Sequence, residues 1–262
     1  MIRNIFISLS IEILKIRRSK IFWITVGAGC LISVMLGLMM VLVKNPDLLA
    51  PGLLKTKVEI AAVKADWPSY IGFVEMASGA IGIILFGFAA SWIFGREFND
   101  RTVKDLLALP VSRSAIVLSK LIAVSIWCLV LSIIIFSFSI VLGVLINLPH
   151  WSADLIPDFF RIFFTTTLLS ILLCPPVAFI ASIGRGFLPS IGFLVLCMGL
   201  ANFFGNIGLG AYFPWTIPML YTGAVGSSVM QLPLVSYIII VITAIAGTVG
   251  TILYWKYADH SR

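Results

Sequence analysis

Six long runs of apolar residues recur along the chain, and they limit its fold more than any other feature. A helix needs about 20 residues to cross the hydrocarbon core of a membrane. The runs lie near residues 21–43, 70–94, 115–146, 159–183, 187–206 and 235–256. They lack the polar alternation of barrel strands, and only helices or closed barrels satisfy their backbone groups in lipid. We therefore predict an all-α, polytopic membrane protein with six transmembrane helices.

Composition agrees with this prediction. The mean hydropathy is +1.11 and only 11% of the residues are charged, which excludes an ordinary soluble domain.

The sequence Arg17-Arg18-Ser19-Lys20 before the first run is also typical of a cleaved export signal. However, the run itself is longer than the apolar core of most signals and more runs follow it. We predict a retained helix.

The positions of lysine and arginine predict the orientation, because cytoplasmic loops carry the excess of these residues. With the N terminus inside, 13 of the 18 cations face the cytoplasm. They are Arg3, Lys15, Arg17, Arg18, Lys20, Arg96, Arg101, Lys104, Arg113, Lys120, Arg185, Lys256 and Arg262. The outside keeps Lys44, Lys55, Lys57, Lys64 and Arg161. We expect a multi-pass protein of the cell membrane with both termini in the cytoplasm. The net charge of +7 follows from this topology and does not indicate nucleic-acid binding.

Two details of the topology stay open at this stage. Residues 186–255 contain no charge, so 207–234 could form a further span. Repeated glycine and proline residues favour instead a re-entrant outer segment of short helices buried against the bundle. The third run is longer than a bilayer needs, so we expect it to project into the cytoplasm near Lys120.

The charged residues gather between the second and third runs. In this cytoplasmic connection Val103, Leu106, Leu107 and Pro110 share one helical face, which predicts a short amphipathic helix. Ser112 or Ser114 would cap the third span. A helix of this kind can rest on lipid headgroups or dock on a partner.

The order of residues in this connection supports docking on a partner. The run from residue 94 to residue 120 resembles the cytoplasmic loop of permease subunits in exporter-class ATP-binding-cassette transporters, which include bacitracin-export permeases. The resemblance is carried by Glu97, Arg101-Thr102, Leu106-Leu107, Pro110-Val111-Ser112-Arg113 and Lys120. Phe213-Pro214-Trp215 before the last span is also similar to that family.

The resemblance implies a division of labour between subunits. Residues 95–114 would form a coupling loop seated in a separate ATPase, through Glu97, Arg101, Val103, Leu106, Leu107 and Arg113. Two ATPase copies and a second permease, identical or different, would complete the assembly. ATP and Mg²⁺ would then bind the ATPase, and this chain would hold no cofactor. Independently, the chain has no Gly-Lys pair of a phosphate-binding loop and no loop of the ~100 residues that a nucleotide-binding domain takes.

Residues 2–18 have apolar side chains at helical spacing, namely Ile2, Ile5, Phe6, Leu9 and Ile13, with Glu12 and Lys15 elsewhere on the helix. This pattern predicts an interfacial helix on an anionic inner leaflet. It could be a simple anchor or an element that transmits movement.

Residues for enzymatic chemistry are sparse. The histidines are His150 in an outer loop and His260 near the C terminus, and the four cysteines lie in different spans. We therefore predict neither catalytic residues nor a metal site.

Ionisable residues inside spans are costly and are default functional candidates. Glu75, near the outer end of the second span, could meet a cationic substrate, pair with Arg161, or simply lie at the interface. Pro175-Pro176 should break the fourth helix, as a packing kink or as a hinge. The series Gly29, Ser33, Gly37 and Gly87, Ser91, Gly95 predict close helix contacts.

Together these observations predict one transmembrane permease domain over 1–262, with an interfacial helix at 1–20, the coupling loop at 95–114 and the outer segment at 207–234. The expected function is ATP-driven export of an amphipathic peptide or a lipid-like molecule. An ATP-independent carrier or channel and a membrane scaffold or sensor are the alternatives.

Overall fold

A computed structural model describes residues 2–45, 64–100, 102, 111–225 and 232–258, and the regular structure in these ranges is helical throughout. The helices are α1 (Ile2–Arg18), α2 (Lys20–Lys44), α3 (Trp67–Asn99), α4 (Arg113–Leu145), α5 (Leu155–Ile171), α6 (Cys174–Ile183), α7 (Phe187–Asn206), α8 (Ile217–Tyr221) and α9 (Leu234–Tyr257). The predicted all-α class is confirmed.

Within the described ranges, six elements are long and apolar enough to cross a membrane: α2, α3, α4, the pair α5–α6, α7 and α9. The chain is therefore a multi-pass membrane protein, and its described residues contain the predicted number of spans. Helices α3 and α4 each have 33 residues. At 1.5 Å per residue each is roughly 50 Å long, which exceeds a hydrocarbon core of about 30 Å.

The two ends of the bundle are distinguished by their connections. We call the end that holds the 100–112 connection the loop end, and the opposite end the far end. At the loop end the start of α4 contacts the end of α9, through hydrogen bonds from Arg113 to the Trp255 and Lys256 carbonyls. At the far end Lys44 donates to the carbonyls of Ile146 and Asn147.

Three spans begin at capped positions. Ser19 accepts a hydrogen bond from the Ile21 amide, and Ser112 accepts one from the Ala115 amide, which settles the predicted choice between Ser112 and Ser114. Asp66 accepts from the Ser69 amide at 3.0 Å. Partial burial would raise the pKa of Asp66, but the hydrogen bonds from Ser69 hold it below its ordinary value.

Both series of small residues lie at helix contacts, as predicted. In α2 the series faces α4, where Gly29 meets Ile135 and the Ser33 hydroxyl lies 3.0 Å from that of Ser139. In α3 the series faces α7, where Gly87 meets Leu194.

The same series brings Gly95 against the backbone of Gly186 and Phe187. This contact fits a short turn at residues 184–186, which joins α6 to α7. Arg185 has a φ of 51°, and the Gly186 amide donates to the Ala181 carbonyl at 3.1 Å. The turn thus lies directly against the last turns of α3.

The fourth span is interrupted at Leu172 and Leu173, immediately before the two prolines at the start of α6. Proline lacks the amide hydrogen that would continue the helical ladder. Gly247 of α9 packs at this point, and a Cβ there would overlap the Pro176 nitrogen and the Pro175 carbonyl carbon. Whether Pro175 and Pro176 act as a hinge stays a prediction.

The outer segment contains short helices in its described part, residues 207–225. Two 3-10 turns, Gly210–Tyr212 and Pro214–Thr216, lead into α8. Thr216 donates to the Ala201 carbonyl at 3.1 Å, and Ile217 is fully buried. No long apolar helix occurs between 207 and 225, so an extra span there is not observed. A re-entrant depth in the membrane stays a prediction, and residues 226–231 lie outside the described part.

The predicted N-terminal helix is present as α1, and one side of it packs against the bundle. Glu12 and Ile16 are buried against the bundle, while Leu9 and Lys15 are partly buried. The large apolar side chains of Phe6, Ile7, Ile11, Ile13 and Leu14 point away from it and are exposed. Of the predicted apolar stripe, Phe6 and Ile13 are exposed and Leu9 is partly buried, while ion pairs hold Glu12 on the side that faces the bundle. An interfacial position for this helix stays a prediction.

We predict that Gly247→Ala lowers the stability of the protein. The added methyl group would meet backbone atoms rather than a flexible side chain, and overpacking of this kind typically costs about 1–3 kcal/mol. The melting temperature of the purified protein in detergent should fall. Gly27→Ala is the matched control, since no atom lies within 4 Å of a Cβ at Gly27. An equal melting temperature for both variants would contradict the close packing at Gly247.

Candidate coupling site at the loop end

The structure describes the two ends of the predicted coupling loop. Glu97 lies near the end of α3, Thr102 follows it, and Arg113 begins α4. The other predicted coupling residues, Arg101, Val103, Leu106 and Leu107, lie outside the described residues. The described part of the site therefore consists of the residues that hold the two ends of the loop.

Glu97 anchors the start of the loop. Its side chain is almost fully buried, and its Oε2 accepts a hydrogen bond of 2.6 Å from the Thr102 hydroxyl. The Thr102 amide also donates to the Glu97 carbonyl at 3.0 Å. The carboxylate thus fixes the first residues of the loop to the end of α3.

Lys120 supplies the main counter-charge for Glu97. Its side chain has no solvent exposure, and its ammonium group lies 2.9 Å from Glu97 Oε1 and 3.0 Å from Glu12 Oε1. A third contact, of 3.4 Å, reaches the Ile93 carbonyl. An ammonium group has three N–H donors, so each donor has an acceptor.

Glu12 brings the N-terminal helix into the same group. Its Oε2 accepts from Arg96 Nη2 at 3.0 Å, and its Oε1 accepts from Lys120. Lys15, one turn further along α1, reaches Glu97 Oε1 at 3.1 Å. The Arg96 guanidinium also lies 4.4 Å from the centroid of the Trp92 ring, a cation–π contact.

We call these five residues the ion cluster: Glu12, Lys15, Arg96, Glu97 and Lys120. Three cations share two carboxylates, and the cluster joins α1, α3 and α4. Removing ions from water costs several kcal/mol per ion, so buried ions are stable only when their partners stay in place. The cluster therefore fixes α1 relative to the start of the loop.

Arg113 anchors the other end of the loop. Its Nη1 donates to the carbonyls of Trp255 at 3.1 Å and Lys256 at 2.9 Å. These carbonyls belong to the last turn of α9, where no further turn of the helix supplies a donor. The Trp255 indole in turn donates to the Ser182 hydroxyl at 3.0 Å. The end of the loop is thus tied to α9 and, through it, to α6.

Glu75 and Arg161 lie toward the far end and do not pair with each other. Glu75 is 7% exposed, and no ion pair joins it to another described residue. Arg161 pairs instead with Asp158 of α5 at 3.0 Å, and both side chains are mostly exposed. A role for Glu75 or Arg161 in a substrate path stays a prediction.

A narrow crevice of about 40 Å³ lies between α2, α3, α4 and α5. Its lining is mostly apolar, with hydroxyl groups from Ser33, Ser78, Ser132 and Thr167. The Thr167 hydroxyl donates to the Ser132 hydroxyl at 3.1 Å, so these two polar groups already have a hydrogen-bond partner in the protein. This volume has room for a few water molecules and not for a peptide.

Sequence reasoning missed the partners of Glu97. The sequence predicts Lys120 as a cytoplasmic cation and as part of the family resemblance, but not as a partner of Glu97. In the structure it lies seven residues inside the third span, where an ionisable residue is costly. Glu12 stands between Ile11 and Ile13 in the most apolar part of α1. Each of the two residues is unusual in its own segment and can be recognised there. Their contact cannot be predicted from the sequence, because they are 108 positions apart.

Comparisons with known proteins identify a family and a relative of this chain. The family model described as "ABC-2 family transporter protein" matches residues 8–202. The chain is also similar to the bacitracin transport permease protein BCRB of Bacillus licheniformis. The two are 28% identical over 207 residues, which cover 76% of this chain and 99% of that protein. No solved structure is significantly similar to the chain.

We predict that Glu12→Gln destabilises the protein by about 3–5 kcal/mol, the range seen when one partner of a buried ion pair is removed. Three cations would then share one carboxylate. The free energy of unfolding can be measured by titration with sodium dodecyl sulfate, and hydrogen exchange of residues 5–16 should accelerate as α1 detaches.

Asp158→Asn is the matched control, because it removes one carboxylate from an exposed pair with Arg161. Such pairs contribute about 0–1 kcal/mol. If both variants changed the free energy of unfolding equally, the ion cluster would not hold α1 in place.

Proposed function

The chain belongs to the ABC-2 family of transporter proteins, and we propose that it is the permease subunit of an ATP-driven exporter. As a membrane subunit of a transporter it is not itself catalytic. We propose that ATP and Mg²⁺ bind a separate ATP-binding-cassette ATPase and that residues 95–114 dock on that ATPase.

One observation carries this proposal: both ends of the loop are fastened to different parts of the bundle. The start is bound through Glu97 to Lys120 of α4 and Lys15 of α1. The end is bound through Arg113 to the last turn of α9. Because neither end is free, a displacement of the loop is transferred to α1, α4 and α9 together.

The charge distribution supports a cytoplasmic loop end. In the topology predicted from the sequence, 13 of the 18 cations face the cytoplasm, including all the cations of the ion cluster. We propose that both termini face the cytoplasm in a cell membrane, so that the loop can reach a soluble ATPase. The length of α4 and the position of Lys120 are consistent with a projection of α4 beyond the lipid core.

A second permease copy is part of the proposal. Along α7 an exposed stripe contains Gly192, Val195, Gly199, Asn202 and Asn206. The amides of Asn202 and Asn206 donate only to carbonyls of their own helix. Exposed amides and glycines are better suited to another helix than to lipid. We propose that this stripe faces the second permease and that two ATPases complete the assembly.

The printed name of the relative supports a proposal for the substrate class, and the size of the crevice supports one for the path. The relative is named for bacitracin, an amphipathic peptide, and we propose a peptide or a lipid-like molecule of that class. The crevice within the first four spans is too small for such a substrate. We therefore place the path between the two permease copies, with Glu75 and Arg161 near its outer end.

Leu106→Asp should detach the ATPase. If the loop docks through Val103, Leu106 and Leu107, the substitution places an unpaired carboxylate in an apolar groove, which is strongly unfavourable. The measurement is the amount of ATPase that co-purifies with each variant, together with its stimulated rate of ATP hydrolysis. Lys104→Ala on the opposite face should leave both values near those of the wild type. Full retention of a coupled ATPase by Leu106→Asp would remove the main support for this function.

Glu75→Gln should reduce export without lowering the amount of protein in the membrane. The assay is the bacitracin resistance of a host that produces the chain with its ATPase. The control is Asp154→Asn, which neutralises an exposed carboxylate that accepts from Ser152 and contacts neither Glu75 nor Arg161. Unchanged resistance with Glu75→Gln, in a host that the wild-type pair protects, would assign Glu75 a structural role.

A further inference from the structure

A cleft of about 260 Å³ lies between α4, α5, α6 and α9, at the break in the fourth span. Ile171, Leu172 and Pro175 form its wall on the side of the break. On the side of α9, Ile245 and Val249 also line it and are 56% and 46% exposed, so the cleft opens sideways from the bundle. Its volume is close to the about 300 Å³ at which small-ligand pockets begin. An occupant therefore enters from the membrane and is small or is one part of a larger molecule.

The cleft lies within the membrane-spanning part of the bundle. Pro175 is eight residues before the end of α6, and Thr248 is nine residues before the end of α9. At 1.5 Å per residue the cleft is roughly 12–14 Å from the helix ends at the loop end. A hydrocarbon core is about 30 Å thick, so this depth falls among acyl chains and below the headgroups.

Two backbone carbonyl groups at the cleft lack a hydrogen-bond donor. In a continuous helix the carbonyls of Ile171 and Leu172 would accept from residues 175 and 176, but both of these are prolines and have no amide hydrogen. No other described group donates a hydrogen bond to either carbonyl. Such groups are costly in hydrocarbon, because no water replaces the missing donor. The wall of the cleft therefore favours an occupant that donates hydrogen bonds.

The two hydroxyl groups that line the cleft do not supply these donors. The Ser125 hydroxyl donates to the Leu121 carbonyl at 3.0 Å, and the Thr248 hydroxyl donates to the Ala244 carbonyl at 2.8 Å. Since both hydrogens are engaged, the hydroxyl oxygens can only accept. The cleft thus combines apolar walls with hydrogen-bond acceptors. A complementary ligand is apolar and brings N–H or O–H groups.

Close packing beside the cleft fixes its width. Gly247 lies against the backbone of Pro175 and Pro176, and Gly250 lies against the Phe179 ring. Because α9 already touches α6 at these two points, it cannot move closer and fill the space. The cleft is therefore formed before a ligand binds.

We propose that this cleft binds apolar peptides through their amide N–H groups, as a first site for a substrate that arrives from the membrane. The acyl chains of phospholipids have no hydrogen-bond donor, whereas a peptide has one at nearly every residue. Of the two substrate classes considered above, the cleft therefore selects the peptide over the lipid-like molecule. Its role in export rests on the proposed function, but peptide binding itself requires neither the ATPase nor ATP.

The test uses the purified chain in phosphatidylcholine nanodiscs, without an ATPase. The probe is acetyl-trileucine amide with a photoreactive diazirine on its central side chain. After irradiation, mass spectrometry should locate the probe on residues 171–175 and 244–249, although the bilayer supplies acyl chains in large excess. The same peptide with every amide nitrogen methylated should label these residues about tenfold less, because it fills the same space without donors.

Three outcomes of this experiment would overturn the proposal. Equal labelling by the two peptides would show that apolar contact alone fills the cleft. Labelling that lies elsewhere on the chain would place the peptide site outside the cleft. No labelling by either peptide would show that lipid or water fills it. None of these results bears on the docking of the ATPase, which the co-purification of Leu106→Asp measures separately.

The carbonyl groups can be tested by Pro175→Ala/Pro176→Ala. This variant supplies the two missing amide hydrogens within the helix, so labelling of residues 244–249 by the unmethylated peptide should fall about tenfold. Pro189→Ala is the matched control. Pro189 lies in the first turn of α7, where amide hydrogens have no acceptor within the helix, and labelling should stay at the wild-type level.

A second variant fills the cleft and leaves the prolines in place. Thr248→Phe adds a ring at the wall formed by α9, and labelling of residues 171–175 should again fall about tenfold. Ala246→Phe, at an exposed position of the same helix outside the cleft, should label as the wild type does. Retention of wild-type labelling by Thr248→Phe, or an equal loss in Thr248→Phe and Ala246→Phe, would overturn the proposal even if the proline variant failed to fold.

Discussion

Lys120 places a positive charge where its side chain has no contact with solvent, and this charge must be balanced by protein groups. Glu12 and Glu97 supply the balance, each with an oxygen within 3.0 Å of the ammonium group. Since the two carboxylates belong to α1 and α3, the balance is available only when both helices lie against α4. One ion thus specifies the positions of three elements, and the start of the loop follows from them.

Arg113 gives the other end of the loop a different kind of anchor. It donates to two carbonyl groups at the end of α9 and needs no counter-ion there. Helix ends leave carbonyl groups without intrahelical donors, and a cation at that position is favoured by the helix dipole. The loop is therefore bound by ion pairs at its start and by carbonyl groups at its end. Its two ends connect to the first and the last helices of the chain.

The sequence predicts the spans well, because a helix that crosses a membrane must be long and apolar. The capping residues indicate where several of these helices begin. Ser112 caps α4 because its side chain accepts a hydrogen bond from the first turn of the helix. The fourth span breaks before Pro175 and Pro176 because proline lacks an amide hydrogen. Both causes are local and can be recognised in the sequence. The ion cluster has no local cause. Glu12 and Lys120 meet only after α1 has packed on α4, and the helical wheel of α1 alone does not show which residues face the bundle. Whether Glu75 pairs with Arg161 could not be predicted from the sequence for the same reason, since the distance between them depends on how α3 and α5 pack.

The turn at residues 184–186 has a consequence for the synthesis of the protein. Three residues join the fourth and fifth spans, and Arg185 is the only charged residue between Arg161 and Lys256. Two apolar helices with so short a connection enter the bilayer as one hairpin, because neither can cross while the other stays behind. Under the proposed topology the orientation of that hairpin rests on a single arginine, because a cation favours a connection on the side where the chain is translated. This residue therefore matters most during insertion, before the packing against Gly95 exists.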